Sequence, residues 1–127
     1  MSEPLVCALL EGKAKTAKHA QGAARHFSAC PYVYFMATKG AELYATLFLP
    51  SRQRWWIRYV EKDPKGTFGL ESAHVAFASH TQYPDRPMMH LPQVRLDVAP
   101  CGADCRTCGA YKKCLGCPAT HSYKGGT

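Results

Sequence analysis

Apolar residues in the first part of the chain recur at intervals of three and four, the spacing of one helix face. Residues 5–27 are therefore predicted to form an N-terminal helix, although Gly12 and Gly22 each weaken it by about 1 kcal/mol relative to alanine. The apolar stripe is built mostly from small side chains, so we expect the helix to lie close to a sheet. Its members are Leu10, Ala14, Ala17, Gln21, Ala24 and Phe27.

Three segments further along the chain have the composition or the alternation of β-strands. Residues 32–38 are almost wholly apolar, as expected of a strand that is buried on both faces. Residues 42–49 and 52–61 alternate between two faces, and the connections between the three segments are short. Short connections favour antiparallel neighbours. A fourth apolar stretch, residues 70–79, fits either a strand or a short helix.

Proline marks the boundary between two parts of the chain. It recurs at positions 84, 87, 92 and 100, and proline is not tolerated inside a helix or a central strand. We predict an α+β domain at residues 1–80, a proline-rich connector at 81–100 and a cysteine-rich metal-binding module at 101–127. The predicted fold class is α+β, with the N-terminal helix on a small, mostly antiparallel sheet and the module at the C-terminal end.

Composition limits the setting of the protein more than its function. The chain has 127 residues, of which 46% are hydrophobic, and a formal net charge of +7. This charge is compatible with an anionic partner such as a nucleic acid. The first residues lack the order of a signal peptide, and no apolar run approaches the roughly 20 residues of a membrane span. We therefore expect a cytoplasmic protein without a membrane partner, in which thiols stay reduced.

Five of the seven cysteines lie close together near the C-terminus, in the spacing C-x3-C-x2-C-x5-C-x2-C. Each C-x-x-C bend directs two sulfurs towards one centre, so two such bends predict a tetrahedral site of four thiolates. Zinc is the expected metal, because closed all-thiolate sites suit it. The predicted ligands are Cys105, Cys108, Cys114 and Cys117, with Cys101 as an alternative ligand; these five residues are called the cysteine cluster.

The fifth thiol of the cluster leaves two alternatives open. In the first, the triplet that begins at Cys101 holds a [4Fe–4S] cluster together with one later cysteine. In the second, the same thiols are redox-active or paired in disulfides. The two remaining cysteines, Cys7 and Cys30, are expected to pack in the core as small apolar side chains.

The stretch from Cys101 to Pro118 resembles an uncharacterised family of bacterial and archaeal cysteine-rich proteins, a domain of unknown function. Members of that family carry C-G-x-x-C-x-x-C, then a tyrosine, then C-x-G-C. The resemblance implies a metal-binding module, with zinc as the expected ion, in a prokaryotic cytoplasm, and it implies no reaction. The matching residues are Cys101, Gly102, Cys105, Cys108, Tyr111, Cys114, Gly116 and Cys117.

The predicted function is that of a metal-binding accessory or interaction protein with a protein partner and without its own catalytic centre. The sequence contains no paired carboxylates, phosphate loop or nucleophile elbow. A second alternative is nucleic-acid binding, because three arginines and a tryptophan would share one face of the predicted strand 52–61 and contact phosphates and bases. A solvated strand face is the simpler interpretation. The four residues are Arg52, Arg54, Trp56 and Arg58.

Overall fold

The computed structural model describes residues 4–86, 89, 94–111 and 113–124. Its strands are β1 (Leu5–Lys13), β2 (Val33–Lys39), β3 (Glu42–Pro50) and β4 (Ser72–Phe77), and its helices are α1 (Ala17–His26), α2 (Arg54–Lys62) and α3 (Pro64–Phe68). The strands form one antiparallel sheet in the order β2-β3-β1-β4. This sheet with its helices confirms the α+β class. No helix in the described residues has the length and apolar character needed to cross a bilayer.

The prediction of one helix over residues 5–27 is wrong in its first half. The chain begins with β1, which pairs with β3 along its whole length and with β4 along its last six residues. Leu10 is buried and Leu9 is 44% exposed, as the period of two in a strand requires. The helix begins only after Thr16, whose side-chain oxygen accepts the backbone N–H of His19 as an N-cap. Pairing with distant strands therefore prevails over the helical spacing of the first residues.

The strand predictions at residues 32–38 and 42–49 are confirmed by β2 and β3. The two strands form a hairpin around Gly40, whose φ of 59° lies in the left-handed region that favours glycine. However, β2 is an edge strand and its Phe35 is 58% exposed. The prediction that this strand is buried on both faces is therefore wrong, because β1 and β3 occupy the centre of the sheet.

Residues 52–61 form helical structure and not the predicted strand. A 3₁₀ turn at Ser51–Gln53 leads into α2, and Gln53, Ile57 and Val60 are buried at helical intervals. A short apolar run of this kind satisfies both periods, so its spacing alone does not separate a helix from a strand. The stretch 70–79, which the sequence leaves undecided between a strand and a short helix, contains strand β4. This strand pairs with β1 and contacts α2.

The hydrophobic core lies between one face of the sheet and the helices. Alternate residues of β3 point into it and are fully or almost fully buried, and they meet apolar residues of β1, α1 and α2. The opposite face is more open, since Leu9, Phe35 and Tyr44 on it are exposed. The most deeply buried core residues include Ala8, Leu10, Ala20, Leu43, Leu47, Leu49, Ile57 and Val60.

Two side chains of α2 cover the outer edge of β4. The carboxylate of Glu61 accepts the Val75 backbone N–H at 2.8 Å, and the guanidinium of Arg58 donates to the Val75 carbonyl at 3.1 Å. Arg58 and Glu61 also form an ion pair at 3.0 Å. The hydrogen bond from Val75, followed by the contact with Arg58, lowers the pKa of Glu61. This edge of the sheet is thus blocked against pairing with another strand.

Residues 94–111 and 113–124, here called the C-terminal segment, follow the sheet. Leu96 forms an isolated parallel bridge with Thr120, and its backbone N–H donates to the carbonyl of Ala119. The segment therefore closes on itself around the cysteine cluster. Residues 87–88 and 90–93 of the predicted connector 81–100 lie outside the described residues. The same holds for residues 112 and 125–127 of the predicted module.

Candidate metal centre

The first C-x-x-C bend is organised by Asp104. Its carboxylate accepts the backbone N–H of Arg106 at 3.0 Å and receives two further hydrogen bonds from the Arg106 guanidinium. This capped start leads into the 3₁₀ turn Cys105–Thr107, and the Cys108 N–H then donates to the Cys105 carbonyl. Contact with Arg106 lowers the pKa of Asp104. Local polar contacts therefore shape this bend.

The second bend depends on Gly116. Its φ of 83° is left-handed, and an added Cβ would lie 2.7 Å from the carbonyl oxygen of Ser122. Only glycine fits both conditions. The Gly116 N–H donates to the sulfur of Cys114 at 3.4 Å, and the next N–H, of Cys117, donates to the sulfur of Cys105 at 3.4 Å. This last contact joins the second bend to the first.

Gln53 connects the cysteine cluster to residues 5–77, which contain the sheet with its helices and are here called the sheet domain. The side chain is only 1% exposed, and its Nε2 donates to the sulfur of Cys114 at 3.2 Å and to the hydroxyl of Tyr32 at 3.3 Å. Its Oε1 accepts the Leu115 N–H at 3.5 Å. Outer-shell groups in metal sites hold their ligands in place by hydrogen bonds of this kind. The sequence does not reveal Gln53 as part of the site, because nothing in the local pattern relates it to the distant cysteines.

Thiols of the cysteine cluster and Cys30, which precedes β2, influence one another electrostatically. Burial is the main cause that raises the pKa of the Cys117 thiol to about 11. Repulsion from the thiols of Cys101, Cys105 and Cys114 acts in the same direction. Burial likewise raises the pKa of Cys30 to about 12, and Cys101 and Cys117 add to the shift. Cys30 is thus a neighbour of the cluster as well as a buried residue.

The five predicted ligands differ in their surroundings. Cys105, Cys114 and Cys117 are linked by the contacts described above, and Cys101 lies near them, packed against the hydrophobic core. Cys108 is the exposed member of the cluster. Among the described residues, no group of three or more His, Cys, Asp or Glu side chains is arranged so that it could hold a metal ion. Sulfur is nevertheless the donor that zinc and iron–sulfur clusters accept, whereas magnesium and calcium prefer oxygen donors.

Basic and aromatic side chains surround the cysteine cluster. The Lys113 ammonium lies 4.3 Å from the ring centre of Trp55 in α2, and the Lys124 ammonium lies 4.0 Å from that of Tyr111. The Tyr111 hydroxyl donates to the Ser122 carbonyl. The two lysines would partly offset the negative charge of a thiolate site. The contact between Lys113 and Trp55 is a second link between the C-terminal segment and α2.

The predicted strand face of Arg52, Arg54, Trp56 and Arg58 does not exist, because these residues lie on a turn and a helix. Arg54 and Arg58 are one helical turn apart, with their guanidiniums 6.0 and 4.8 Å from the ring centre of Phe77. The Trp56 ring instead packs edge-on against Tyr32, at 5.5 Å between ring centres, and against Phe68. The tryptophan therefore does not provide a stacking surface beside the two arginines.

Comparison with known proteins gives no relative for this chain. No family model matches it, and neither the curated proteins nor the solved structures contain a match. The resemblance of Cys101–Pro118 to a cysteine-rich prokaryotic family accordingly stays a prediction from the motif residues.

Proposed function

We propose that this protein binds one thiophilic metal ion, zinc in the first place, through thiols of the cysteine cluster, and that it acts as an accessory or interaction protein without its own catalytic centre. The observation that carries the proposal is the hydrogen bond from the Cys117 N–H to the sulfur of Cys105. It brings Cys105 of the first bend next to Cys117 of the second, as a site that takes thiolates from both bends needs.

The ligand set that we favour contains Cys105, Cys114 and Cys117, with Cys101 as the fourth thiol. Cys117 interacts electrostatically with all three of the others, whereas Cys108 is exposed. This set makes the alternative ligand of the sequence prediction a principal one. A zinc ion bound there would cross-link the C-terminal segment.

The residues around the thiols support the same role. Gln53 and the Gly116 N–H donate hydrogen bonds to the sulfur of Cys114, as outer-shell groups do to the ligands of metal sites. The exposed Leu9, Phe35 and Tyr44 of the open sheet face are suited to contact with a protein partner.

Elemental analysis of the full chain, purified without oxygen, tests the proposal. We expect a colourless protein with about one zinc per chain. A brown protein that contains iron and absorbs near 400 nm would instead establish the iron–sulfur alternative. A chain that stays free of metal after incubation with zinc under reducing conditions would refute both.

Alanine variants of single cysteines test the ligand set. We expect Cys101→Ala and Cys114→Ala to lower zinc affinity by at least about a hundredfold, since each removes a ligand. Cys108→Ala should change it by less than about threefold. The matched control is Cys7→Ala, because Cys7 is buried in β1 and is no part of the proposed site. A loss with Cys108→Ala and none with Cys101→Ala would restore the ligand set predicted from sequence.

A further inference from the structure

A groove of about 700 Å³ lies between α1 and the end of α3, and none of the cysteines lines it. Its volume falls within the range of small-molecule sites in proteins. The wall at its base contains Phe27 and Phe68, whose rings stack at 4.1 Å between centres with an angle of 9° between their planes. The groove therefore offers an apolar base to a ligand.

The α1 side of the groove is basic. Lys18, Arg25 and His26 line it together with Gly22, and positions four, seven and eight residues after Lys18 lie on the same side of a helix. No Asp or Glu is among the lining residues. Among the described residues, neither Lys18 nor Arg25 forms an ion pair with an acidic side chain. Both cations are thus available to an anion.

Gly22 keeps the middle of this helix face bare. A Cβ added there would meet nothing within 4 Å, and the position lies within the helix, where glycine is less favourable than alanine. Neither packing nor backbone conformation therefore requires glycine at this position. Its absence of a side chain, beside the small Ala23, leaves room for a flat group against the helix backbone.

We propose that this groove binds a small planar anion, that is, a ligand with an aromatic or other flat apolar body and one carboxylate, sulfonate or phosphate group. The flat body lies on the helix backbone at Gly22 and against the aromatic base. The anionic group is held by Lys18 or Arg25 through charge. The site is independent of the metal centre, since the two have no residue in common.

Anilinonaphthalene sulfonate, an anion with a flat naphthalene ring, is the probe for the test, and its uncharged parent phenylnaphthylamine is the matched control ligand. We expect the anion to bind the full chain at one site, and the paired substitution Lys18→Gln with Arg25→Gln to weaken it by about tenfold. The same substitution should weaken the uncharged control by less than about twofold. Amide shifts in the NMR spectrum of the complex should centre on residues 22–27 and 67–69.

Substitutions of Gly22 provide the steric part of the test. Gly22→Phe fills the groove and should abolish binding of the anion, whereas Gly22→Ala should retain it and raise the melting temperature slightly. Unchanged binding in Gly22→Phe, or amide shifts centred on Leu9, Phe35 and Tyr44, would overturn the proposal. Tighter binding of a short oligonucleotide at the same amides, with a steep salt dependence, would overturn the small-molecule assignment in favour of a nucleic acid.

Discussion

Leu43, Leu47 and Leu49 of the sheet domain are completely buried, whereas the apolar residues that the C-terminal segment buries, Ala99, Leu115 and Ala119, are fewer and mostly small. The sheet domain has a continuous core between strands and helices. The C-terminal segment depends on capped turns, backbone hydrogen bonds and contacts to sulfur. Apolar burial is the main source of stability for a part with a continuous core, whereas a segment with little apolar burial is of the kind that a bound metal can stabilise. The sheet domain thus folds by its core, whereas for the C-terminal segment we propose that a bound metal supplies the stability that its few buried side chains do not.

Removal of the metal should have the largest effect, and it should be confined to the C-terminal segment. A structural zinc ion contributes on the order of 10 kcal/mol to the folding of a small thiolate site. We expect a chelator to abolish the protection of backbone amides in residues 94–124 against hydrogen exchange, with β1 and β3 still protected. Equal loss of protection in both parts would show that they fold as one unit.

Leu47→Ala should destabilise the sheet domain rather than the C-terminal segment. The side chain is fully buried in the centre of the core, so truncation should lower the free energy of unfolding of the sheet domain by about 3 kcal/mol. Leu9→Ala, on the exposed face, is the control and should cost less than about 1 kcal/mol. Urea denaturation of the zinc-loaded chain measures both. Similar losses in the two variants would argue against the position of the core.

Gln53→Leu tests the connection between the two parts. The substitution keeps much of the side-chain volume, removes the donor to the sulfur of Cys114 and leaves the Leu115 N–H without its acceptor. We expect zinc affinity to fall about 10-fold to 100-fold, as for other outer-shell residues. Competition with a chromophoric chelator gives the affinity. Gln21→Leu, at an exposed position of α1, is the control, and an equal loss there would remove the special role of Gln53.

Glu61→Gln should have the smallest effect, and its effect should depend on pH. The pKa of Glu61 is lowered in the folded protein, so the ionised carboxylate contributes stability above its unfolded pKa of about 4.3. This contribution is lost as the pH falls through the lower, folded value. The variant should therefore be less stable than the parent at pH 7 by less than about 1 kcal/mol, because solvent screens this partly exposed carboxylate, and nearly equal to it once the pH lies below the folded pKa. Urea midpoints across this range provide the measurement, and a difference that grows towards acid would contradict the assignment.

The sequence predicted those elements whose partners are close in the chain. β2 and β3 form a local hairpin with a glycine turn, and both were predicted. β1 was predicted as a helix, because its helical spacing is visible in the sequence and its pairing with β3 and β4 is not. α2 was predicted as a strand, since a short apolar run fits both periods.

The same distinction between local and distant contacts applies to the site. The thiol spacing pointed to a metal centre, but the nearness of Cys30 and the hydrogen bonds of Gln53 arise only when distant parts of the chain meet. Such contacts cannot be predicted from the sequence around either residue. The spacing of the motif also does not decide whether Cys101 or Cys108 lies near Cys117, because both fit it.

X-ray absorption at the zinc edge of the zinc-loaded chain tests the central claim most directly. We expect the zinc ion to be surrounded by four sulfur atoms at about 2.3 Å. A shell of nitrogen and oxygen atoms at about 2.0–2.1 Å, with no sulfur, would contradict it.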